Sequence, residues 1–195
     1  MSRLTELIVY LEKKGIKETL SRIKLRYLSI SEFVVFHRNL ESSNFQAEIS
    51  PDIKYVKGEI EALQQFRDQH PSLPREFYID QTHNGKEFYL GYYKGDLAQI
   101  CWLFYKGDYS RFFSFKDDSS CELNYIITLP QFRGNGLPAK FTNYICDQLK
   151  SKKIKNVVVA IASGNANMVK GMKGTDFIEI KRIISYCSFL NKMKI

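Results

Sequence analysis

The stretch from Cys121 to Ile161 constrains the fold more than any other part of the chain. Cys121–Leu129 is a strand-like run rich in Leu, Tyr and Ile, and residues 130–136 form a loop holding Gly134 and Gly136. Residues 138–151 place Phe141, Ile145 and Leu149 at intervals of four, as one face of a helix does, and Asn156–Ile161 is a short, nearly continuous apolar run. That last run has the composition of a strand buried on both faces. Strand, helix and strand in succession make a crossover unit, which places the chain among folds with a mixed sheet flanked by helices.

The remaining elements fit around this unit. Leu4, Leu7, Ile8 and Leu11, then Ile16, Leu20, Ile23 and Tyr27, predict two short amphipathic helices separated by Gly15. Glu32–His37 reads as a strand, and residues 55–69, with Val56, Ile60, Leu63 and Phe66 on one face, as a helix stopped by Pro71 and Pro74. Two aromatic runs, 88–93 and 97–105, joined by Lys94-Gly95-Asp96, predict a hairpin. A short helix over 165–173 and strand structure over 177–190 complete the order.

At 195 residues the chain is one domain with a short appendage, a helical extension over 1–30 and the main domain over 31–195. The net charge of +8 is unevenly spread: +4 in residues 1–30, −4 in 31–147 and +8 in 148–195. Nucleic-acid binders interleave basic and aromatic residues, whereas here the aromatics concentrate in the acidic middle, so nucleic acid is not an expected partner. Charged residues interrupt every apolar run near the N-terminus, so neither a signal peptide nor a membrane span is expected. Cys101, Cys121, Cys146 and Cys187 are widely spaced and read as reduced core thiols of a cytoplasmic protein. His37, His70 and His83 lack metal-ligand spacing, and no metal is expected.

The loop carries the chemistry. Between a strand and a helix, glycines let the backbone approach a ligand, and the first turn of the helix offers unpaired N–H donors and about half a positive charge to an anion. Pro138 suits the start of such a helix, where a missing N–H costs nothing. There is no GxxxxGK[ST], and Gly134-Asn135-Gly136 is followed by Leu-Pro-Ala rather than by the third glycine of a dinucleotide fold.

Gln131-x-x-Gly134-x-Gly136, after a strand and opening a helix, resembles the coenzyme signature Q/RxxGxG/A of the GNAT superfamily of N-acetyltransferases. The wider stretch Thr128–Leu137 is similar to the family's V-x-P-x-[YF]-R-G-x-G-[IL], and Asn165–Phe177 matches in length the family segment that starts with Asn and ends in Gly-Phe. The resemblance is direct over 121–183. It implies an α/β (α+β) fold with a mixed, mostly antiparallel sheet, flanked by helices and splayed at one strand pair to hold the coenzyme.

The resemblance further implies transfer of an acetyl group from acetyl-CoA to a primary amine by direct attack. Amides of Arg133, Gly134, Asn135, Gly136 and Leu137, beside Gln131, would hold the pyrophosphate. Backbone groups of Ile127, Thr128 and Leu129 would pair with the pantetheine like an added strand, and Asn165 would meet the pantetheine or the outgoing thiol. Glu122, where several family members carry a catalytic Glu, is the candidate base, with a pKa raised by apolar surroundings. Three positions depart from the pattern: Met172 replaces the usual tyrosine, Asp176 the glycine before Phe177, and Pro138 a Gly or Ala. Tyr125 and Tyr186 are then candidates to protonate the thiolate. Acceptor selection is expected on residues 39–58, 72–86 and 106–119, and the acidic middle favours a cationic acceptor.

Two alternatives stand beside this reading. One is an N-acyl amino acid or signal synthase using a longer acyl-CoA or an acyl carrier protein, docked on the basic rim at 148–155, with the aromatic strands at 88–105 lining an acyl tunnel. The other is a non-catalytic coenzyme- or nucleic-acid-binding module, supported by the run Lys150–Lys155. A second copy of the chain is a further candidate partner.

Overall fold

The computed structural model describes residues 30–42 and 50–186. The two helices expected before Tyr27, Cys187, the Tyr186 side chain and the end of the 177–190 segment lie outside the described residues.

The described strands are β1 (Ile30–Asn39), β2 (Ile53–Lys57), β3 (Glu87–Tyr93), β4 (Asp96–Phe104), β5 (Ser120–Thr128), β6 (Asn156–Ala162) and β7 (Ile178–Tyr186). They form one sheet in the order β2-β3-β4-β5-β6-β1-β7. Every neighbouring pair is antiparallel except β5 and β6. This is the expected mixed, mostly antiparallel sheet. The hairpin between β3 and β4 turns through Lys94 and Gly95, both at positive φ (53° and 92°), a backbone shape matched to the twist of paired strands.

Four helices flank the sheet among the described residues: α1 (Ile60–Gln69), α2 (Ile79–His83), α3 (Leu137–Ser151) and α4 (Ala166–Lys173). The crossover helix α3 buries Leu137, Phe141, Ile145 and Leu149 on one face of the sheet, against Leu123, Val157, Val159 and Ile161, and α4 adds Met172 to the same core. On the opposite face, Leu63 of α1 and Ile79 of α2 pack with Phe88, Ile100, Trp102 and Phe104. Each such buried leucine contributes roughly 1.5–3 kcal/mol. A third cluster, on the α1 side, joins Phe112 and Phe113 to Val35, Val158 and Ile183.

The helix expected over 55–69 begins only at Ile60, because the preceding residues are strand β2. Ile53 and Tyr55 are buried while Lys54 and Lys57 are exposed, a period of two rather than 3.6. Gly58 then passes directly over Phe88, where a Cβ would lie 1.9 Å from the ring. Ile60, expected on the buried face, is exposed.

Two polar contacts fix the segment between α1 and β3. Arg67, buried at the end of α1, donates from Nε to the Phe77 carbonyl at 2.7 Å and pairs with Asp80. Trp102 on β4 donates its indole N–H to the Glu76 carbonyl at 2.7 Å. Residues 75–83 are thereby held against the sheet.

Candidate active site

β5 and β6 part after three rungs. Ser120, Cys121 and Glu122 pair with Asn156, Val157 and Val158, and beyond Glu122 the two strands make no further pairing. One edge of Leu123–Thr128 is therefore turned to a gap, while the other edge stays on β4. The expected splayed pair is present at this place in the sheet.

β5 carries a bulge beside the gap. Trp102 faces Asn124 and Ile100 faces Ile127, so Tyr125 and Ile126 together oppose Cys101, and Tyr125 sits at φ 50°. A left-handed tyrosine costs about 1–2 kcal/mol and persists only where its surroundings fix it. The Asn124 Oδ1 accepts the Tyr125 N–H at 2.7 Å, and the Tyr125 ring stacks on His83, which stacks in turn on Tyr109.

At the far end of β5 lies the glycine loop. Pro130–Phe132 make one 3-10 turn, Arg133 donates from Nε to the Thr128 carbonyl at 3.1 Å, and Asn135 donates to the Phe132 carbonyl at 3.0 Å. Gly134 and Gly136 have φ of 88° and 66°, and Gly136 caps α3 in the left-handed region. The N–H groups of Gly134, Asn135, Gly136 and Leu137 have no backbone acceptor among the described residues. A Cβ built on either glycine meets nothing within 4 Å. The glycines thus shape the loop and leave open space over its donors, which is what an approaching anion requires.

Between these ends, a cavity of about 430 Å³ passes through the sheet at the split. On the α3 side its wall is Leu123, Ile126, Val159, Ile161, Asn165 and Met168. On the other side it is built from residues 75–83, from Tyr109, Arg111 and Phe112 in the loop before β5, and from Phe33 of β1. Two of the segments expected to select the acceptor, 72–86 and 106–119, supply this wall. The third, 39–58, supplies none of it among the described residues.

Glu122 sits at the apex, at the last paired rung, and is fully buried. Its Oε1 accepts from Asn124 Nδ2 at 2.8 Å, and Oε2 has no hydrogen-bond partner among the described residues. Burial pushes the carboxyl up to about 8, against the opposing pull of the Ser110 and Asn124 side chains. The carboxyl lies one layer behind the cavity, whose wall there is Asn124. His83, in the wall itself, is held below its ordinary pKa by burial and then by Arg75. Burial raises Tyr125 to about 12, so its hydroxyl keeps its proton.

The other sequence-derived residues sort by position. Ile127 and Thr128 end β5, paired on one side with Ile100 and Gln99 of β4, Thr128 Oγ1 accepts from Gln99 at 2.9 Å, and Leu129, just past the strand, donates its N–H to the Ala98 carbonyl at 2.8 Å. Gln131 is exposed on the 3-10 turn. Asn165 caps α4, its Oδ1 accepting the Met168 N–H at 3.3 Å, and faces the cavity from beyond β6. Met172 is buried in the core rather than in the cavity, and Asp176 lies 3.5 Å from Arg38 Nη2. Sequence reasoning missed Asn124, His83, Tyr109 and Arg111. Their one available signal was their place in the segments 72–86 and 106–119 or beside Glu122.

No protein-family model matches the chain, and no curated protein matches it by sequence. Solved structures do match it. They include an acetyltransferase of the GNAT family from Colwellia psychrerythraea (14% identity, TM-score 0.57, covering 88% of this chain and 61% of that one). A GCN5-related N-acetyltransferase from Sphaerobacter thermophilus matches at 10% identity and TM-score 0.57, over 88% of this chain and 56% of that one. An aminoglycoside N-acetyltransferase in complex with CoA matches at 15% identity and TM-score 0.50, over 71% of this chain and 97% of that one. The chain spans about three fifths of the length of the first two. At these identities the likeness is one of fold.

Proposed function

Starting from the GNAT fold, we propose that this chain transfers an acyl group, in the first instance acetyl, from a coenzyme A thioester to a primary amine. The observation that carries the reading is the split between β5 and β6, which has a phosphate-type loop at one end and a cavity through the sheet at the other.

The residues divide the work. Unpaired amides of Gly134–Leu137 bind the pyrophosphate, with the positive end of α3 behind them. The edge of β5 that faces the gap, up to Ile127–Leu129, pairs with the pantetheine as an added strand. Asn165 and Met168 close the gap from the β6 side, and the acceptor amine enters from the wall formed by residues 75–83 and 109–112. Its nitrogen attacks the thioester carbonyl, the carbon–sulfur bond breaks, and the thiolate departs. Glu122 takes the ammonium proton through a water, since its carboxyl stands behind Asn124. Tyr125, which keeps its proton, donates a hydrogen bond to the departing sulfur. Catalysis is then mainly positioning, together with proton removal.

The longer-chain reading finds less support. The aromatics Phe88, Trp102 and Phe104 pack into the core under α1, and in the basic rim Lys152 pairs with Glu87 and Lys155 with Glu41. The direct test is a thermal-shift panel of acetyl-CoA, longer acyl-CoAs, free CoA and oligonucleotides. Ligand at a hundred times its dissociation constant adds about 2.7 kcal/mol of apparent stability. A shift with acetyl-CoA and none with oligonucleotides is expected, and no shift with any acyl-CoA would refute the reading.

A further inference from the structure

The acyltransferase reading, on which this inference rests, leaves the acceptor open, and the cavity wall opposite α3 narrows it. We infer that the acceptor carries a carboxylate beside its amine, and that Arg111 binds that carboxylate.

Arg111 comes from the loop between β4 and β5, and its guanidinium lies over the rings of Phe33 and Phe112, 4.9 Å from each centroid. Nη2 donates to Ser185 Oγ at 3.2 Å, and among the described residues no carboxylate pairs with it. The two rings cover the apolar surface of the guanidinium and fix its plane, while its remaining edge donors stay available. Phe33, Arg111 and Phe112 all face the cavity. A half-buried arginine held in one orientation has already lost most of its rotamer freedom, and its fork matches a carboxylate in geometry.

Four acids of the acidic middle are engaged in ion pairs. Asp80 pairs with Arg67, Asp108 with Lys86, Asp118 with Lys106, and Glu87 with Lys57 and Lys152. In the cavity wall Glu76 is the one acid among the described residues, and it lies 3.3 Å from Arg75. With Arg75 and Arg111 both present, the wall carries more positive than negative charge. A polyamine would bring cations to this wall, whereas an amino acid brings an amine and a carboxylate at a fixed short separation. The cationic acceptor favoured by segment charge is thereby narrowed to one that carries a carboxylate as well.

The test follows thiol release from acetyl-CoA with L-amino acids and with their matching α-amides. A parallel arm uses succinyl-CoA with the amides, which puts the carboxylate on the donor instead. Amino acids should exceed their amides by about ten- to a hundredfold in kcat/KM. Arg111→Gln should remove that preference, chiefly through KM, and Arg111→Lys should retain part of it. An unchanged acetyl-CoA dissociation constant in both variants shows that they fold. Equal rates for amino acids and amides, an Arg111→Gln variant that keeps the preference, or a higher rate with succinyl-CoA and amides would each overturn the inference. If acetyl-CoA binds and no amino acid reacts, the inference falls and the acyltransferase reading stands. If no acyl-CoA binds, that reading falls first and the inference with it.

Discussion

The Asn124 side chain donates to Glu122 Oε1 at 2.8 Å while accepting the N–H of the left-handed Tyr125 at 2.7 Å. One amide thus ties the buried carboxyl to the bulge beside the split, so that the position of the acid and the local shape of β5 depend on each other.

With a pKa near 8, Glu122 should produce a kcat that rises with pH to a plateau above about 8. Glu122→Gln should remove that limb and lower turnover by about a hundredfold or more, with acetyl-CoA binding intact. Asn124→Ala deletes a hydrogen bond that favours the charged form, and should move the limb to higher pH. A limb below 6.5, unaffected by either change, would assign the proton to His83, which burial and Arg75 hold below that value.

The same group links stability to pH. Its folded pKa lies above the usual carboxylate value of 4.5, so the neutral form suits the fold and its contribution is complete below that value. As pH rises from there through about 8, the unfolded chain gains by ionising and the wild type loses that stability, with no further loss once the folded carboxyl is also ionised. Glu122→Gln does not titrate. Its unfolding free energy relative to wild type should therefore increase between pH 5 and pH 8.5 by on the order of several kcal/mol, read by chemical denaturation at the two pH values.

Gly136→Ala separates folding from binding. The left-handed backbone at φ 66° makes alanine cost about 1 kcal/mol, and open space around the new Cβ adds no clash. That Cβ stands where the phosphates should approach, so acetyl-CoA affinity should fall by more than about tenfold, that is by more than about 1.4 kcal/mol. Chemical denaturation and calorimetric titration of the same preparation distinguish the two effects.

Gly58→Ala should do the reverse. Its Cβ would fall 1.9 Å from the buried ring of Phe88, and overpacking of this kind costs about 1–3 kcal/mol. Denaturation should show the loss, while kcat per folded molecule stays at the wild-type value, because neither Gly58 nor Phe88 lines the cavity.

What was legible in the sequence was local. The run Cys121–Ile161 announces a crossover because its period, glycines and proline all act within a few residues of one another. The glycine loop is legible for the same reason, as is the hairpin at Lys94–Gly95. Residues 55–57, expected in the helix, belong to strand β2, because five residues give too little length to distinguish a period of two from one of 3.6 and Val56 falls in phase with the helix after it. The place of β1 between β6 and β7 was not legible, since its partners lie far along the chain and Val34–Phe36 would fit any buried strand. The same distance hid the wall of the cavity. His83, Tyr109 and Tyr125 stack only because three separate segments meet at the split. Asp176, out of place against the family pattern, finds its reason in Arg38, a buried cation that also donates to Asn143 at 2.7 Å.

The central claim is that the split between β5 and β6 holds a coenzyme A thioester by its loop and its free edge. Calorimetric titration of acetyl-CoA into the full chain tests it most directly, with Gly136→Ala as the partner experiment. One molecule should bind per chain, in competition with free CoA, and the alanine variant should bind more than about tenfold more weakly. Absence of saturable binding, or equal affinity in the two proteins, would contradict the claim.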